Sequence, residues 1–223
     1  MSARLLATLC LVLFCVPLSS AQSAASQDAE LVVYLRTGGN QPVVPLAQMK
    51  RELGALMHQA GYRVEWRSLD ANRSQDGDAS LMAVLDFTGV CGIAPGYADA
   101  ERAAKISTSL ATTTITDGQV LPFSSLNCAT LTNSVSAALA KEAGARRDFL
   151  YGRAMARVVA HEFYHVLMRT TEHGRSGVAR SCFSTSDLLT ERFEFEGTAL
   201  ARLRHRPDVV ADVGAVADES TDR

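Results

Sequence analysis

The sequence has no strong excess of charge of either sign. Its 223 residues include 22 Lys and Arg against 24 Asp and Glu. Proteins that bind nucleic acid or anionic lipid carry a basic patch or run, so we expect neither of these partners. Glycine (15 residues) and proline (6 residues) are not enriched, and 47% of the residues are apolar, which excludes fibrous, low-complexity and disordered classes. The length predicts one domain with a core of ordinary size.

Long apolar runs are also absent, except for one at the N-terminus. Leu5 to Val16 is an apolar run of 12 residues that follows Arg4 and precedes small residues at 19–21. This pattern is typical of a secretory signal peptide, and the run is shorter than the roughly 20 residues that a spanning helix needs. We therefore expect a secreted or periplasmic protein that is not inserted in a membrane after cleavage. The predicted segments are a signal peptide at 1–21, a flexible leader at 22–30, a domain at 31–206 and a flexible tail at 207–223.

Cysteine is scarce beyond the predicted signal peptide, where only Cys91, Cys128 and Cys182 remain. An exported protein meets an oxidising compartment, so we expect one disulfide, for which three pairings are possible. We favour Cys91 with Cys128, because both follow strand or loop segments in the same half of the chain. Closing a loop of that length stabilises the fold by about 3 to 4 kcal/mol in the chain-entropy model. The alternative is three buried, unreacted cysteines.

The first half of the chain shows β-rich and alternating segments around one helical segment. Tyr62, Val64 and Trp66, for example, alternate with charged residues, which is typical of a half-buried strand. Asp117-Gly118 is a strong turn signal between two further strands. The predicted order is β-α-β-β-β, with strands at 31–36, 62–69, 81–87 and 105–116 and a helix at 45–60. A short strand at 120–123 is predicted to return after the turn.

The second half has helical periodicity. Gly144 is predicted to end the first of its helices, and Ser184 with Asp187 resembles a capping box that opens the last. The predicted helices lie at 131–143, 147–168 and 184–204, the last of them interrupted at Gly197.

The long predicted helix carries the sequence His161-Glu162-Phe163-Tyr164-His165. Residues four apart project from one face of a helix, so the two imidazoles can bind one Zn²⁺. Glu162 lies about 100° around the helix and can reach a water on the metal, which is the position of a general base. The simpler alternative is a helix whose His-Glu-His stripe is solvated or satisfied within the core.

A catalytic zinc usually keeps three protein ligands, so a third is needed. His173 is the best candidate, because it follows His165 by eight residues and Gly174 beside it permits a sharp turn. The alternative is that His173 is a surface loop residue. The competing ligands are Glu191, Glu194 and Glu196 on the following predicted helix, and Glu191 has the better spacing.

The HExxH helix after several strands resembles the zincin metallopeptidases and, within them, the metzincins. The resemblance covers about residues 31–173 and implies an α/β (α+β) fold, with a twisted mixed sheet over the HExxH active-site helix and a helical C-terminal part. It implies zinc ligands at His161 and His165 and a general base at Glu162. It also implies that an edge strand, here 107–116, holds an extended peptide by backbone hydrogen bonds. The chain is similar as well to small secreted bacterial zincin-like proteins.

The chain departs from the metzincin pattern after His165. Metzincins have a glycine and a third histidine at the positions of Met168 and Thr171, and a later methionine that this chain lacks. Either the helix continues for another turn before the chain reverses, or the third ligand is not His173. The candidates for a transition-state donor are Tyr97, Tyr151 and Tyr164.

These patterns predict a monomeric, secreted metallopeptidase that binds one Zn²⁺ per chain. It would hydrolyse a peptide or protein substrate by a metal-activated water, with Glu162 as general base. The alternative is a zincin-fold protein that binds a peptide or an envelope component without turnover.

Overall fold

A computed structural model describes residues 28–37, 39–68, 81–93 and 109–205. The predicted signal peptide and tail, the leader up to residue 27, and residue Tyr97 lie outside the described residues. Among the described residues, no helix is both long enough and apolar enough to cross a membrane. The elements are β1 (Ala29–Thr37), α1 (Val43–Gln59), β2 (Tyr62–Ser68), β3 (Met82–Thr88), β4 (Ala111–Thr116), β5 (Gln119–Asn127), α2 (Cys128–Leu139), α3 (Gly144–Met168), α4 (Thr185–Leu189) and α5 (Gly197–Arg204).

The strands form one mixed sheet in the order β2-β1-β3-β5-β4. β1 pairs in parallel with β2 and β3, and β3 pairs in parallel with β5. β4 is antiparallel to β5 and lies at the edge of the sheet. Asp117 and Gly118 both have positive φ, at 50° and 76°, as a tight hairpin between β4 and β5 requires. The observed order of this half is β-α-β-β-β-β. It contains the predicted β-α-β-β-β order and the predicted return strand, and the mixed α/β class is confirmed.

Helix α3 runs through the centre of the molecule. Every residue from Leu150 to His165 is buried, because the sheet, α1 and the C-terminal segments surround the helix. Side chains from β1, β3 and α1 complete the same core, among them Leu31, Leu85 and Leu53. The HExxH sequence therefore lies on a rigid, packed element.

Several predicted boundaries are corrected. β1 begins at Ala29, whose N–H donates to the carbonyl of Gly61, so 29–30 do not belong to a flexible leader. α2 begins at Cys128, three residues before the prediction, because the Asn127 side chain caps the helix by accepting from the Thr130 N–H. Gly144 does not end a helix but begins α3.

The helix predicted at 184–204, with an interruption at Gly197, is corrected to two short helices, and Gly197 begins the second of them. The capping box of Ser184 and Asp187 is present, but α4 ends at Leu189 and α5 begins only at Gly197. Arg157, which is fully buried, donates to the carbonyls of Asp187 (2.6 Å) and Glu191 (3.3 Å). Arg153 donates to the carbonyls of residues 189 and 190. The carbonyls of residues 187 and 189–191 therefore accept from these two arginines of α3 instead of from helical N–H groups four residues further along the chain.

The disulfide between Cys91 and Cys128 is confirmed. Cys91 follows β3 and Cys128 follows β5, and these strands are parallel neighbours, so their carboxyl ends lie side by side. Cys182 is a free, exposed thiol.

Candidate metal centre and cleft

The first two histidines are held by main-chain carbonyls of the segment that follows α3. Nδ1 of His161 lies 2.8 Å from the Val178 oxygen, and Nδ1 of His165 lies 2.7 Å from the Thr170 oxygen. A carbonyl oxygen only accepts, so each Nδ1 carries the proton and each neutral ring presents a lone pair at Nε2. Hydrogen bonds of this kind, from the ring nitrogen that does not face the metal, fix the tautomer and the ring orientation of metal-binding histidines.

The two Nε2 atoms face each other at 3.1 Å. Neither atom carries a proton in these tautomers, so they cannot form a hydrogen bond and their lone pairs repel each other. A cation between them removes this repulsion. Two imidazole nitrogens bound to one tetrahedral Zn²⁺ lie about 3.3 Å apart. The pair therefore fits a metal ion.

His173 joins this pair because the chain turns back after α3. The helix ends at Met168 without a further turn, and Arg169 adopts a left-handed conformation with φ of 46°. The His173 ring then stacks on His161, with centroids 5.2 Å apart, and lies edge-on to His165 at 4.8 Å. One ligand atom from each histidine lies within 4.8 Å of the other two, and the described residues contain no other group of three or more that meets this condition.

The three competing glutamates lie outside the histidine cluster. They lie in and beside the non-helical segment between α4 and α5, where they form hydrogen bonds that fix the position of this segment. The Glu191 carbonyl accepts from Arg157, the Glu194 carbonyl accepts from the Val178 N–H, and the Glu196 carboxylate accepts from Ser176.

Burial keeps the imidazoles of His161 and His165 neutral. Burial lowers the pKa of His161 to about 4, against an opposing effect of its hydrogen bond to Val178. Burial likewise lowers the pKa of His165, opposed by its bond to Thr170. Neutral imidazole is the form that binds a metal, so these two residues are ready to act as ligands at neutral pH.

Glu162 lines the same cleft but points toward the edge strand. Its Oε2 accepts a hydrogen bond of 2.6 Å from the hydroxyl of Thr113 on β4. Burial raises the pKa of the Glu162 carboxyl, and the Thr113 bond lowers it in part. The carboxylate therefore binds protons more strongly than an exposed glutamate does, and it lies beside the histidine cluster.

The cleft has a volume of about 640 Å³ and lies between β4 and α3. All three histidines, Glu162 and Thr113 line it. Phe183 closes one side with its ring edge-on to His161 at 5.4 Å between centroids. His161 and His165 are buried and His173 is exposed, so the cluster is reached from the side of His173.

The described tyrosine candidates do not reach the cleft. Tyr151 and Tyr164 are each 1% exposed, and no tyrosine lies among the described residues that line the cleft. The Tyr151 hydroxyl bonds with the Thr132 hydroxyl at 2.8 Å, and the Tyr164 hydroxyl accepts from Arg202 at 3.1 Å. Both tyrosines therefore have packing roles.

Sequence reasoning missed the residues that orient the site. Val178 and Thr170 act through main-chain oxygens. Every residue has such an oxygen, so the sequence does not reveal this role. Thr113 belongs to a threonine-rich strand that the sequence predicted, but no pattern distinguishes it from its neighbours.

Searches of protein-family models and of curated proteins find no match to this chain.

Proposed function

We propose that the protein is a zinc-dependent metallopeptidase with a zincin-like fold. One observation carries the proposal: a cluster of three histidines with two opposed lone pairs shares a cleft with a buried carboxylate that is not part of the cluster. A structural zinc site is closed by four protein ligands, whereas a catalytic site has three and an open position. The described residues offer three such ligands and leave the side of His173 exposed.

His161, His165 and His173 would hold the zinc ion. When bound, zinc supplies a Lewis acid that polarises a carbonyl and lowers the pKa of a water. The protein's own contribution is to hold two of the rings in one tautomer through Val178 and Thr170, so that little reorganisation is needed on binding.

Glu162 is the general base in this proposal. Its Oε2 is held by Thr113, so we assign Oε1 to accept the proton of the attacking water. The same carboxyl then returns the proton to the amine that leaves. A raised pKa favours the first step, because it makes the carboxylate a stronger base.

The substrate would be a peptide or protein that lies along β4. β4 is an antiparallel edge strand and lines the cleft beside Glu162. An extended peptide can add to such an edge by main-chain hydrogen bonds. The resemblance to zincins implies the same arrangement. The disulfide is compatible with export, and we propose a secreted monomer.

The test is elemental analysis of the purified protein, followed by a screen for peptide hydrolysis. We expect about one zinc per chain, lost in His161→Ala and His173→Ala and kept in the control Glu191→Gln. Glu162→Gln should keep the zinc and lose hydrolysis. Zinc retained by His173→Ala would reject the three-histidine site. Zinc bound by a wild-type protein that hydrolyses no peptide would favour the alternative of a binding protein without turnover.

A further inference from the structure

We propose that Thr113 is a positioning residue for Glu162, and that its hydroxyl fixes the carboxylate so that Oε1 faces the histidine cluster. This inference rests on the proposed function, because it assigns a role to Thr113 in the action of the base. Thr113 is not part of the HExxH sequence, and it comes from the edge strand on the opposite wall of the cleft.

This contact is one of two consecutive hydrogen bonds that link the Ser124 hydroxyl, the Thr113 hydroxyl and the Glu162 carboxylate. The Thr113 hydroxyl lies 2.6 Å from Oε2 of Glu162 and 3.1 Å from the hydroxyl of Ser124 on β5. Thr113 has one hydroxyl proton, and the carboxylate can only accept, so Thr113 donates to Glu162 and Ser124 donates to Thr113. Thr113 and Ser124 are directly paired across the antiparallel strands, so the sheet itself holds the two hydroxyls in register.

Burial makes these two hydrogen bonds effective. Ser124 is 3% exposed and Glu162 is 8% exposed. Water is therefore a poor substitute for the hydrogen bonds that the Thr113 hydroxyl makes with these two side chains. The β-branched side chain of Thr113 has restricted rotation about χ1, whereas a glutamate has three rotatable side-chain bonds. The stiff residue on the strand therefore restrains the flexible one on the helix. Misplacement of a catalytic group by about 1 Å can cost on the order of 100-fold in rate.

The kinetic test compares four variants. Thr113→Val removes the hydroxyl and keeps the shape, Thr113→Ser keeps the hydroxyl, and Ser124→Ala removes its donor. The matched control is Thr88→Val, because the Thr88 hydroxyl also pairs with a β5 serine, Ser125, at 3.1 Å, but Thr88 does not line the cleft.

We expect Thr113→Val to lower kcat about 10-fold or more, which corresponds to about 1.4 kcal/mol, with KM changed less than twofold and zinc content unchanged. Thr113→Ser should recover most of kcat, Ser124→Ala should lie between, and Thr88→Val should match the wild type. Loss of zinc, a rise in KM alone, or failure of Thr113→Ser to recover kcat would reject the positioning role.

A second measurement does not depend on activity. Thermal unfolding of the metal-free protein is compared for Thr113→Val, Glu162→Ala and the double variant. Thr113→Val should lower Tm by about 2 to 4 °C for each kcal/mol of lost bonding. This shift should be smaller when Glu162 is already alanine, because only the bond from Ser124 is then left to lose. Additive shifts would show that the two side chains do not interact and would overturn the proposal.

The two measurements together separate the two proposals. An active wild type whose kcat is unaffected by Thr113→Val rejects the positioning role alone. If the metal-free variants show coupled unfolding but the zinc-loaded wild type cleaves no peptide, the proposed function is rejected, and the catalytic role of Thr113 with it.

Discussion

The carbonyl oxygen of Val178 accepts a hydrogen bond of 2.8 Å from the Nδ1–H of His161, 17 residues earlier in the sequence. Val178 is itself held by its N–H, which donates to the carbonyl of Glu194 at 3.0 Å. Gly177 beside it forms a bridge with Phe195. The orientation of a candidate metal ligand on α3 therefore depends on the segment between α4 and α5, which does not itself line the cleft.

Gly177→Ala should disturb this support. Gly177 has φ of 63°, and a Cβ there would overlap the carbonyl oxygen of Glu194. The added atom pushes Val178 away from His161, so we expect zinc affinity to fall about 10- to 100-fold, as it does when other hydrogen-bond partners of metal-binding histidines are changed. Competition with a chelator measures the affinity.

Gly118→Ala is the matched control for Gly177→Ala. Gly118 has φ of 76°, but a Cβ there meets nothing within 4 Å. Gly118→Ala should introduce backbone strain only, which lowers the free energy of unfolding by about 1 kcal/mol. It should keep the zinc affinity of the wild type. Equal zinc affinity in both variants would contradict the role of the Val178 segment.

The metal-free protein should lose stability as the pH falls from about 6.5 to about 4. The pKa of His161 is lowered to about 4 in the folded protein and lies near 6.5 when unfolded. Between these values the unfolded chain binds more protons, so acid favours unfolding, by at most about 3 kcal/mol from this residue. His165 contributes in the same direction and Glu162, with its raised pKa, in the opposite one. Urea unfolding in the presence of a chelator, at several pH values, measures the slope.

The contribution of His161 to this slope can be isolated by substitution. His161→Gln should have a shallower dependence on pH than the wild type, because glutamine does not titrate. His205→Gln removes an exposed histidine and is the control. A slope unchanged by His161→Gln would show that other groups cause the acid sensitivity.

Arg157→Met should be strongly destabilising. Arg157 is 0% exposed and bonds to the carbonyls of Asp187 and Glu191 and, at 3.4 Å, to the Glu52 carboxylate. Methionine has a similar volume but leaves the two main-chain carbonyls without this donor and removes one of the partners of the Glu52 carboxylate, which keeps Gln48 and Arg153. We therefore expect a loss of about 3 to 5 kcal/mol in the free energy of unfolding. Urea denaturation measures it, and Arg192→Ala, at an exposed position, should change stability little. A loss for Arg157→Met no larger than for Arg192→Ala would contradict the bonding described.

Removal of the disulfide should cost about 3 to 4 kcal/mol, because Cys91 and Cys128 enclose a long loop. The double variant Cys91→Ser/Cys128→Ser tests this by denaturant unfolding without reductant. Cys182→Ser is the control, since Cys182 is free. A reductant should destabilise the wild type and leave the double variant unchanged; equal sensitivity of the two would contradict the assignment.

The sequence predicted local features well where the local signal was strong. The periodicity of α1, the turn at Asp117-Gly118 and the capping box at Ser184 and Asp187 all appear in the structure. The prediction failed at 190–196, where Arg153 and Arg157 bind the main chain and interrupt the helix. Such a side-chain-to-backbone contact has no period along the sequence, so no pattern predicts it.

The sequence by itself determined the two histidines four residues apart on one helix face and the glutamate beside them, because these follow from helical geometry alone. Only the tertiary structure decided what surrounds them. The left-handed turn at Arg169 brings His173 to the pair, and the fold places Thr113 and Val178 against Glu162 and His161. The physical reason is that Thr113 meets Glu162 only when the sheet packs on α3, and that His173 and Val178 reach the pair only when the chain after α3 folds back on the helix.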